Sequence, residues 1–263
     1  MDRVTIVTVC YNAEKEIENT MRSVCIQDYP SIEYLIVDGM SSDKTVEIAN
    51  NIKREYRELS NINVSILSEK DNGIYDAMNK GIRKATGEWL LFLNAGDLLD
   101  SKATLSNVFK KNYTPDISGI YGDTLRYSGD WSKKIEGHPL ESIADELPLP
   151  FCHQSVFVRK TLMQEMCFDT KYELASDYDF FVKCYKKGCK FVHVGEVVSR
   201  YAMGGISECQ TVKHLEEKIQ IREKNGLEIY TSIKKRHLLY RLRIRQAIKK
   251  YLPKRIVKMI RGY

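Results

Sequence analysis

Several things are scarce in these 263 residues, and each absence excludes a class of protein. No apolar run approaches the ~20 residues that a helix needs to cross a bilayer. The start, Met1-Asp2-Arg3, lacks the basic stretch and long apolar segment of a secretory leader, which predicts a cytoplasmic protein. The seven cysteines (10, 25, 152, 167, 184, 189 and 209) are odd in number and never form Cys-x-x-Cys. A disulfide framework or a zinc site would need closer, paired spacing, so the thiols read as small apolar groups in a reducing compartment. The five histidines show no metal-ligand spacing. The first strand–helix turn, Val9-Cys10-Tyr11-Asn12-Ala13-Glu14, has no Gly-x-Gly-x-x-Gly, which argues against a dinucleotide cradle. Internal repeats and low-complexity segments are also missing.

What is present is a chain long enough to bury a large core, with 43% hydrophobic and 29% charged residues. The net charge of +6 hides a split. From Ile229 onward there are twelve Lys or Arg and no acid, which leaves 29 basic against 35 acidic residues before it, a formal −6. The globular part is mildly acidic and the tail strongly basic.

Hydrophobic periodicity predicts an alternating order of elements. Strands are expected at 4–9, 34–39, 64–67 and 89–93. Helices are expected at 14–27, from the Ser41-Ser42-Asp43 cap to about Leu59, and at 73–85. This rhythm points to an α/β fold with a mostly parallel sheet and helices on both faces. Beyond residue 115 it loosens: strand at 120–123, a proline-punctuated loop over 136–150, strand at 154–158, helix at 177–187, strand at 190–201, then helix from about 211 to the end, interrupted at Pro253. The expected division is a catalytic domain over 1–210, in halves of about 1–115 and 116–210, followed by a helical basic tail over 211–263.

Ligands of open parallel sheets bind beyond the carboxyl ends of the strands. Three of the first four strands deliver polar groups there: Tyr11-Asn12, Asp38, and Asn94-Ala95-Gly96-Asp97. The third reaches Asp71-Asn72-Gly73 a few residues later. One acid after a strand is most simply a turn former. Its recurrence at successive strand ends favours a polar rim that accepts a cation, with Tyr11 available to stack on a base and Asp38 to accept hydrogen bonds from a base or ribose.

Three blocks resemble the signatures of family 2 glycosyltransferases, inverting enzymes of the GT-A (Rossmann-like) fold: Thr8-Val9-Cys10-Tyr11-Asn12, Val37 to Thr45, and Phe92-Leu93-Asn94-Ala95-Gly96-Asp97. Asp71-Asn72-Gly73-Ile74-Tyr75-Asp76-Ala77-Met78-Asn79-Lys80-Gly81 and Ala175-Ser176-Asp177-Tyr178-Asp179 resemble a bacterial branch that builds O-antigens, capsules and exopolysaccharides. The blocks run in the expected order over roughly residues 3–207.

The resemblance implies a nucleotide site at Thr8, Tyr11, Asn12, Asp38, Asp71 and Asn79, with uridine held by Tyr11, Asp38 and Asp71. It implies Mg2+ or Mn2+ on the sugar-nucleotide diphosphate at Asn94–Asp97. There the sequence departs from the pattern, since Asn94 and Gly96 stand where many relatives have acids, leaving Asp97 as the anionic ligand with help from Asn94. Diphosphate oxygens and waters complete an octahedral shell around a cation held by one carboxylate. Asp177 matches the catalytic base, and direct displacement at an anomeric carbon does need a carboxylate beside the acceptor hydroxyl. Capping the helix that begins at Tyr178 is a compatible second role for Asp177. His153 and Gln154 fall near the acceptor side, where a structural histidine is the competing reading. Gly205 and Ser207 fall in a loop over the diphosphate, where an ordinary glycine turn competes. Trp131 is a candidate for a sugar face.

In the tail, Leu238, Leu239, Leu242, Ala247, Ile248, Tyr251 and Leu252 recur at near-helical spacing among cations. A basic amphipathic helix over 234–261 suits an anionic membrane surface. A nucleic-acid partner is not expected, because the rest of the chain is acidic. The combined expectation is a UDP-sugar donor and a lipid-linked oligosaccharide acceptor at the inner face of a cell membrane. Two other readings predict different features: a sugar-nucleotide nucleotidyltransferase wants a Gly-rich basic loop after the first strand, and a non-catalytic adaptor wants only the tail.

Overall fold

The computed structural model describes all residues except 58, 60, 61, 130, 203–211, 228–238, 241–243 and 245–263. Strands β1 (Val4–Cys10) and β2 (Ile32–Asp38) are buried along their whole length, as strands covered on both faces must be. With β3 (Asn63–Ser68) and β4 (Trp89–Phe92) they form a parallel block in the order β3-β2-β1-β4. The register pairs Cys10 with Asp38 and Asp38 with Ser68, so three strands end level and create one rim.

The connecting helices are α1 (Ile17–Cys25), α2 (Thr45–Tyr56) and α3 (Ile74–Lys84). Helix α1 buries Ile17, Met21, Val24 and Cys25, a single stripe at helical spacing. That stripe joins Val4 and Ile6 of β1 and Ile52 of α2 in the main core. Val7, on the other face of β1, lies against α3 at Gly81. Asp43 does not cap α2 directly. It accepts the Thr45 N–H at 2.9 Å and the Glu14 N–H at 3.1 Å, tying the first two strand–helix turns together.

The second half follows as β5 (Asp97–Leu99), α4 (Thr104–Val108), β6 (Ile117–Ser128), β7 (Trp131–Ile135), β8 (Val156–Arg159), α5 (Lys160–Met166), α6 (Ser176–Lys186) and β9 (Lys190–Ala202). The sheet continues as β4-β8-β6-β9-β5, with β7 on β6. Here β6 and β9 are parallel and the other pairings antiparallel. The register shifts at Asp123, an irregularity of the kind that re-aims side chains near functional sites. The 136–150 loop holds a 3₁₀ turn at Leu140–Ala144, and a second 3₁₀ turn at His153–Ser155 precedes β8.

The elements absent from the sequence reading are β5, α4, β7 and α5. The contacts divide the chain into two compact units, Met1–Met203 and Gly204–Tyr263. The described part of the second unit is chiefly α7 (Val212–Lys224), closed by a left-handed Gly226 whose neighbour Leu227 donates its N–H to Arg222 O at 2.9 Å. Apart from residues 239, 240 and 244, the basic stretch 234–261 lies outside the described residues, as do Gly205 and Ser207. No helix among the described residues is long and apolar enough to cross a membrane. The six described cysteines are free thiols.

Candidate active site

The rim at the ends of β1 and β2 is assembled by side-chain-to-backbone bonds. Asn12 adopts a left-handed φ of 49°, which asparagine tolerates better than most residues. Its Oδ1 accepts the Ser42 N–H at 2.9 Å, and its own N–H reaches Ser41 Oγ at 2.8 Å. Ser41 in turn donates from its hydroxyl to Asp38 Oδ1, and its N–H donates to Asp38 Oδ2 at 3.0 Å. Ser68 adds a hydroxyl bond to Oδ2 at 2.6 Å. Asp38 is fully buried, and these bonds occupy its carboxylate.

The groups that face outward here are Tyr11, 65% exposed, and Asp71. Gly39 lies between them: a Cβ at that position would come within 2.5 Å of Asp71 Oδ2 and 3.4 Å of the Tyr11 ring. An exposed aromatic, a carboxylate and a bare backbone therefore share one side of the crevice. Thr8 and Asn79 stand outside this group. Thr8 is buried and donates to Leu93 O at 2.7 Å. Asn79 spends both ends of its amide on Phe168, donating to its O and accepting from its N–H, each at 2.9 Å.

The β4–β5 turn carries the next groups. The Asp97 N–H closes it onto Asn94 O at 3.0 Å, and Gly96 sits at φ 101°, a conformation that disfavours a side chain. Burial pushes the Asp97 carboxyl up to about 7. Asp97 has no ion-pair partner among the described residues. Asn94 Nδ2 lies 3.2 Å from His153 Nε2, while Asn94 Oδ1 is buried without a partner. Buried polar atoms are rarely left so. A desolvated carboxylate and an orphaned amide oxygen on one turn suit a hard divalent cation with oxygen ligands. Among the described residues no cluster of three His, Cys, Asp or Glu offers a self-sufficient metal site. A cation at Asp97 would need further oxygens from a ligand.

His153 connects this turn to Asp177. Its Nδ1 lies 3.6 Å from Asp177 Oδ2, and both side chains are about four-fifths buried. Burial holds the imidazole below its ordinary pKa, with Asp177 opposing. A neutral ring with its proton on Nδ1, toward Asp177, presents the Nε2 lone pair to the Asn94 amide. That tautomer turns Asn94 Oδ1 away from the histidine. Asp177, in the first turn of α6, accepts at Oδ1 from the Tyr178 N–H at 2.8 Å and the Tyr75 hydroxyl at 2.9 Å. Burial raises the Tyr75 phenol well above its ordinary pKa, so it remains a donor. Asn94, His153, Asp177 and Tyr75 thus form one continuous array. The sequence reading omitted Tyr75 even though it lies inside the 71–81 block. Gln154, next to His153, is buried.

The geometry is that of an α/β sheet with polar groups gathered at the ends of its parallel strands and the Asp177 carboxylate held in place by Tyr75 and Tyr178. The family model for glycosyl transferase family 2 matches residues 5–171, and the chain belongs to that family. A PGL/p-HBAD biosynthesis glycosyltransferase of Mycobacterium tuberculosis is 29% identical over 234 residues, 86% of this chain and 87% of its own length. A Methanococcus voltae dolichyl N-acetyl-alpha-D-glucosaminyl phosphate 3-beta-D-2,3-diacetamido-2,3-dideoxy-beta-D-glucuronosyltransferase is 26% identical over 76% of this chain and 67% of its own. Among solved structures, S. aureus TarS 1–349 with UDP-GlcNAc superposes with a TM-score of 0.65 at 19% identity, over 90% of this chain and 70% of that one. The mannosyltransferase PcManGT of Pyrobaculum calidifontis, with GDP-Man and Mn2+, gives 0.67 at 21% identity, over 91% and 68%. These likenesses confirm the GT-A architecture expected from the sequence.

Proposed function

We propose that this glycosyltransferase moves a hexosyl or N-acetylhexosaminyl unit, with inversion, from a UDP-sugar to a lipid-linked oligosaccharide at the inner face of a cell membrane. The observation that carries the reading is the array from Asn94 through His153 to Asp177 and Tyr75, which joins the cation turn to a held carboxylate. Tyr11, Gly39 and Asp71 offer the base a stacking ring and a hydrogen-bond acceptor. Asp38 serves them indirectly by fixing the Ser41 turn. Asp97 and Asn94 Oδ1 would hold Mn2+ or Mg2+. That cation, when bound, supplies positive charge to the diphosphate.

In the transfer step the acceptor hydroxyl gives its proton to Asp177 as its oxygen bonds the anomeric carbon. The bond from that carbon to the diphosphate oxygen breaks on the opposite face, and the electron pair leaves with UDP. Support for the donor and acceptor classes comes from the relatives: TarS is described with UDP-GlcNAc, and the Methanococcus enzyme is named for a dolichyl phosphate substrate. The test is release of UDP, GDP or dTDP from their sugars with and without Mn2+, alongside Asp177→Asn. Asp177→Asn is expected to abolish transfer and to keep UDP affinity. Near-normal turnover by that variant, or indifference to UDP-sugars, would refute the assignment.

A further inference from the structure

We infer that Arg126 binds the diphosphate of the donor and offsets the charge that collects on it as the sugar leaves. The inference rests on the nucleotide-sugar reading and assigns a further residue to that site. Strand pairing carries it. Asp97 of β5 pairs with Tyr201 of β9, and Tyr201 pairs with Arg126 of β6. Directly paired residues project from the same face of a sheet, so Asp97, Tyr201 and Arg126 form one transverse row. Their outer members stand two strand spacings apart, about 10 Å between Cα atoms.

The adjacent row shows which face this is. Thr124, two residues before Arg126, and Ser199, two before Tyr201, also pair. Both hydroxyls meet Ser155 Oγ at 2.6 Å. Ser155 ends the turn that begins with His153, so this face of β6 lies beside the turn that carries His153. An independent observation agrees. Burial raises the Cys152 thiol, beside His153, and among the charges around it the Asp97 carboxylate adds to the rise while the Arg126 guanidinium opposes it. Both charged groups therefore lie within electrostatic reach of that thiol.

The chemistry favours an arginine here. A guanidinium is permanently charged and forms two parallel bonds to phosphate oxygens. The cation turn has only one acid, so a single carboxylate must hold the divalent cation while the leaving group gains negative charge. A fixed cation from β6 offsets that charge from the opposite side of the row. The guanidinium carbon also lies 5.5 Å from the centroid of the Trp131 ring, a contact that limits the directions the side chain can take.

The experiment compares binding of UDP and of uridine by calorimetry in the full chain, wild type against Arg126→Ala and Arg126→Lys, in Mn2+ and in EDTA. Arg126→Ala is expected to weaken UDP roughly ten- to a hundredfold while uridine affinity stays put, with the loss persisting in EDTA. Arg126→Lys, which keeps the charge but not the fork, should lose less. Unchanged UDP affinity would overturn the inference, and so would an equal fall for UDP and uridine, the mark of a structural role. If Arg126→Ala does not fold, the UDP-to-uridine ratio of Arg126→Lys decides alone: a lowered ratio supports the contact and an unchanged ratio refutes it. A wild-type protein that binds no UDP would instead overturn the donor reading itself.

Discussion

Replacing Tyr75 with Phe removes one atom from the array and leaves its packing in place. The ring stays against Phe168, whose centroid is 5.4 Å away, and the side chain remains buried. Asp177 Oδ1 loses the hydroxyl at 2.9 Å but keeps the Tyr178 N–H at 2.8 Å. A hydrogen bond to a charged group contributes about 1.5–3 kcal/mol. The Asp177 side chain is 19% exposed, so water can reach part of the carboxylate, and the stability cost should fall at the lower end of that range. The kinetic cost differs, because the bond fixes which way the carboxylate points when the acceptor arrives. At about 1.4 kcal/mol per factor of ten, kcat should fall roughly ten- to a hundredfold. The KM for the donor should hold, since Tyr75 bonds the acceptor-side carboxylate. The phenol stays protonated well beyond the ordinary tyrosine range, so the ratio of wild-type to mutant kcat should be flat between about pH 6 and 9. Steady-state kinetics across that range, with thermal melts as a control, give both numbers. A mutant kcat within about twofold of wild type would refute the positioning role.

Asp97→Ala should weaken Mn2+-dependent UDP binding in calorimetry, and Asn94→Ala should weaken it less; an unaltered Mn2+ requirement in Asp97→Ala would move the cation elsewhere. Glu33 is buried at the opposite ends of the strands, where it accepts from the Thr5 hydroxyl at 2.6 Å and from both the N–H and hydroxyl of Thr86 at 2.7 Å. Burial alone would raise its pKa, but these bonds together hold it below the ordinary value. Its stabilisation is therefore present above the unfolded pKa of about 4.3 and lost as pH falls through the folded value. Glu33→Gln should cost about 2–3 kcal/mol at neutral pH in denaturant melts and progressively less below about pH 4; a pH-independent difference would show that charge plays no part. Removing residues 234–263 should release the protein from anionic liposomes, with wild-type binding weakening as salt rises; salt-insensitive binding would rule out the cations as the anchor.

The first half of the fold was legible because β1, β2 and β4 are apolar on both faces and need only local sequence to be seen. The missing elements depend on partners far along the chain. Strand β5 is three residues long and exists through its pairing with Ser199–Tyr201. Strand β7 is a polar hairpin arm, mostly exposed, with no apolar alternation to announce it. The site divided along similar lines. Asp177, His153, Asn94 and Asp97 were all named from sequence, and the structure gathers them. Spacing alone could not separate a polar side chain exposed at the rim from one whose bonds are made inside the fold, so Asp38, Thr8 and Asn79 looked equivalent to Tyr11 and Asp71. Arg126 gave no signal because the expected strand stopped at Asp123, before the alternation Thr124, Arg126, Ser128 could show a common face.

Gly96 ties these points together. The sequence presented it as a lost acid at the cation turn. In the structure a side chain there would find space, its nearest neighbours being carbons of Glu16 at 3.8–3.9 Å, but the backbone is at φ 101°. The conformation selects glycine, and the same turn carries both Asn94 and Asp97, closed by the Asp97 N–H on Asn94 O. A second acid at 96 would strain the turn that positions the first. On the proposed reading, the missing charge control comes from beyond the turn, from the neighbouring strands. Tyr11, Asp71, Asn94 and Asp97 come from the first 115 residues, whereas Arg126, His153 and Asp177 come from the stretch after them. On that reading, neither half alone holds the proposed carboxylate for the acceptor, ligand for the cation and guanidinium for the diphosphate. Pairing of β9 with both β5 and β6 brings the halves into one row, so a substitution that loosened β9 should impair cation binding and diphosphate binding together.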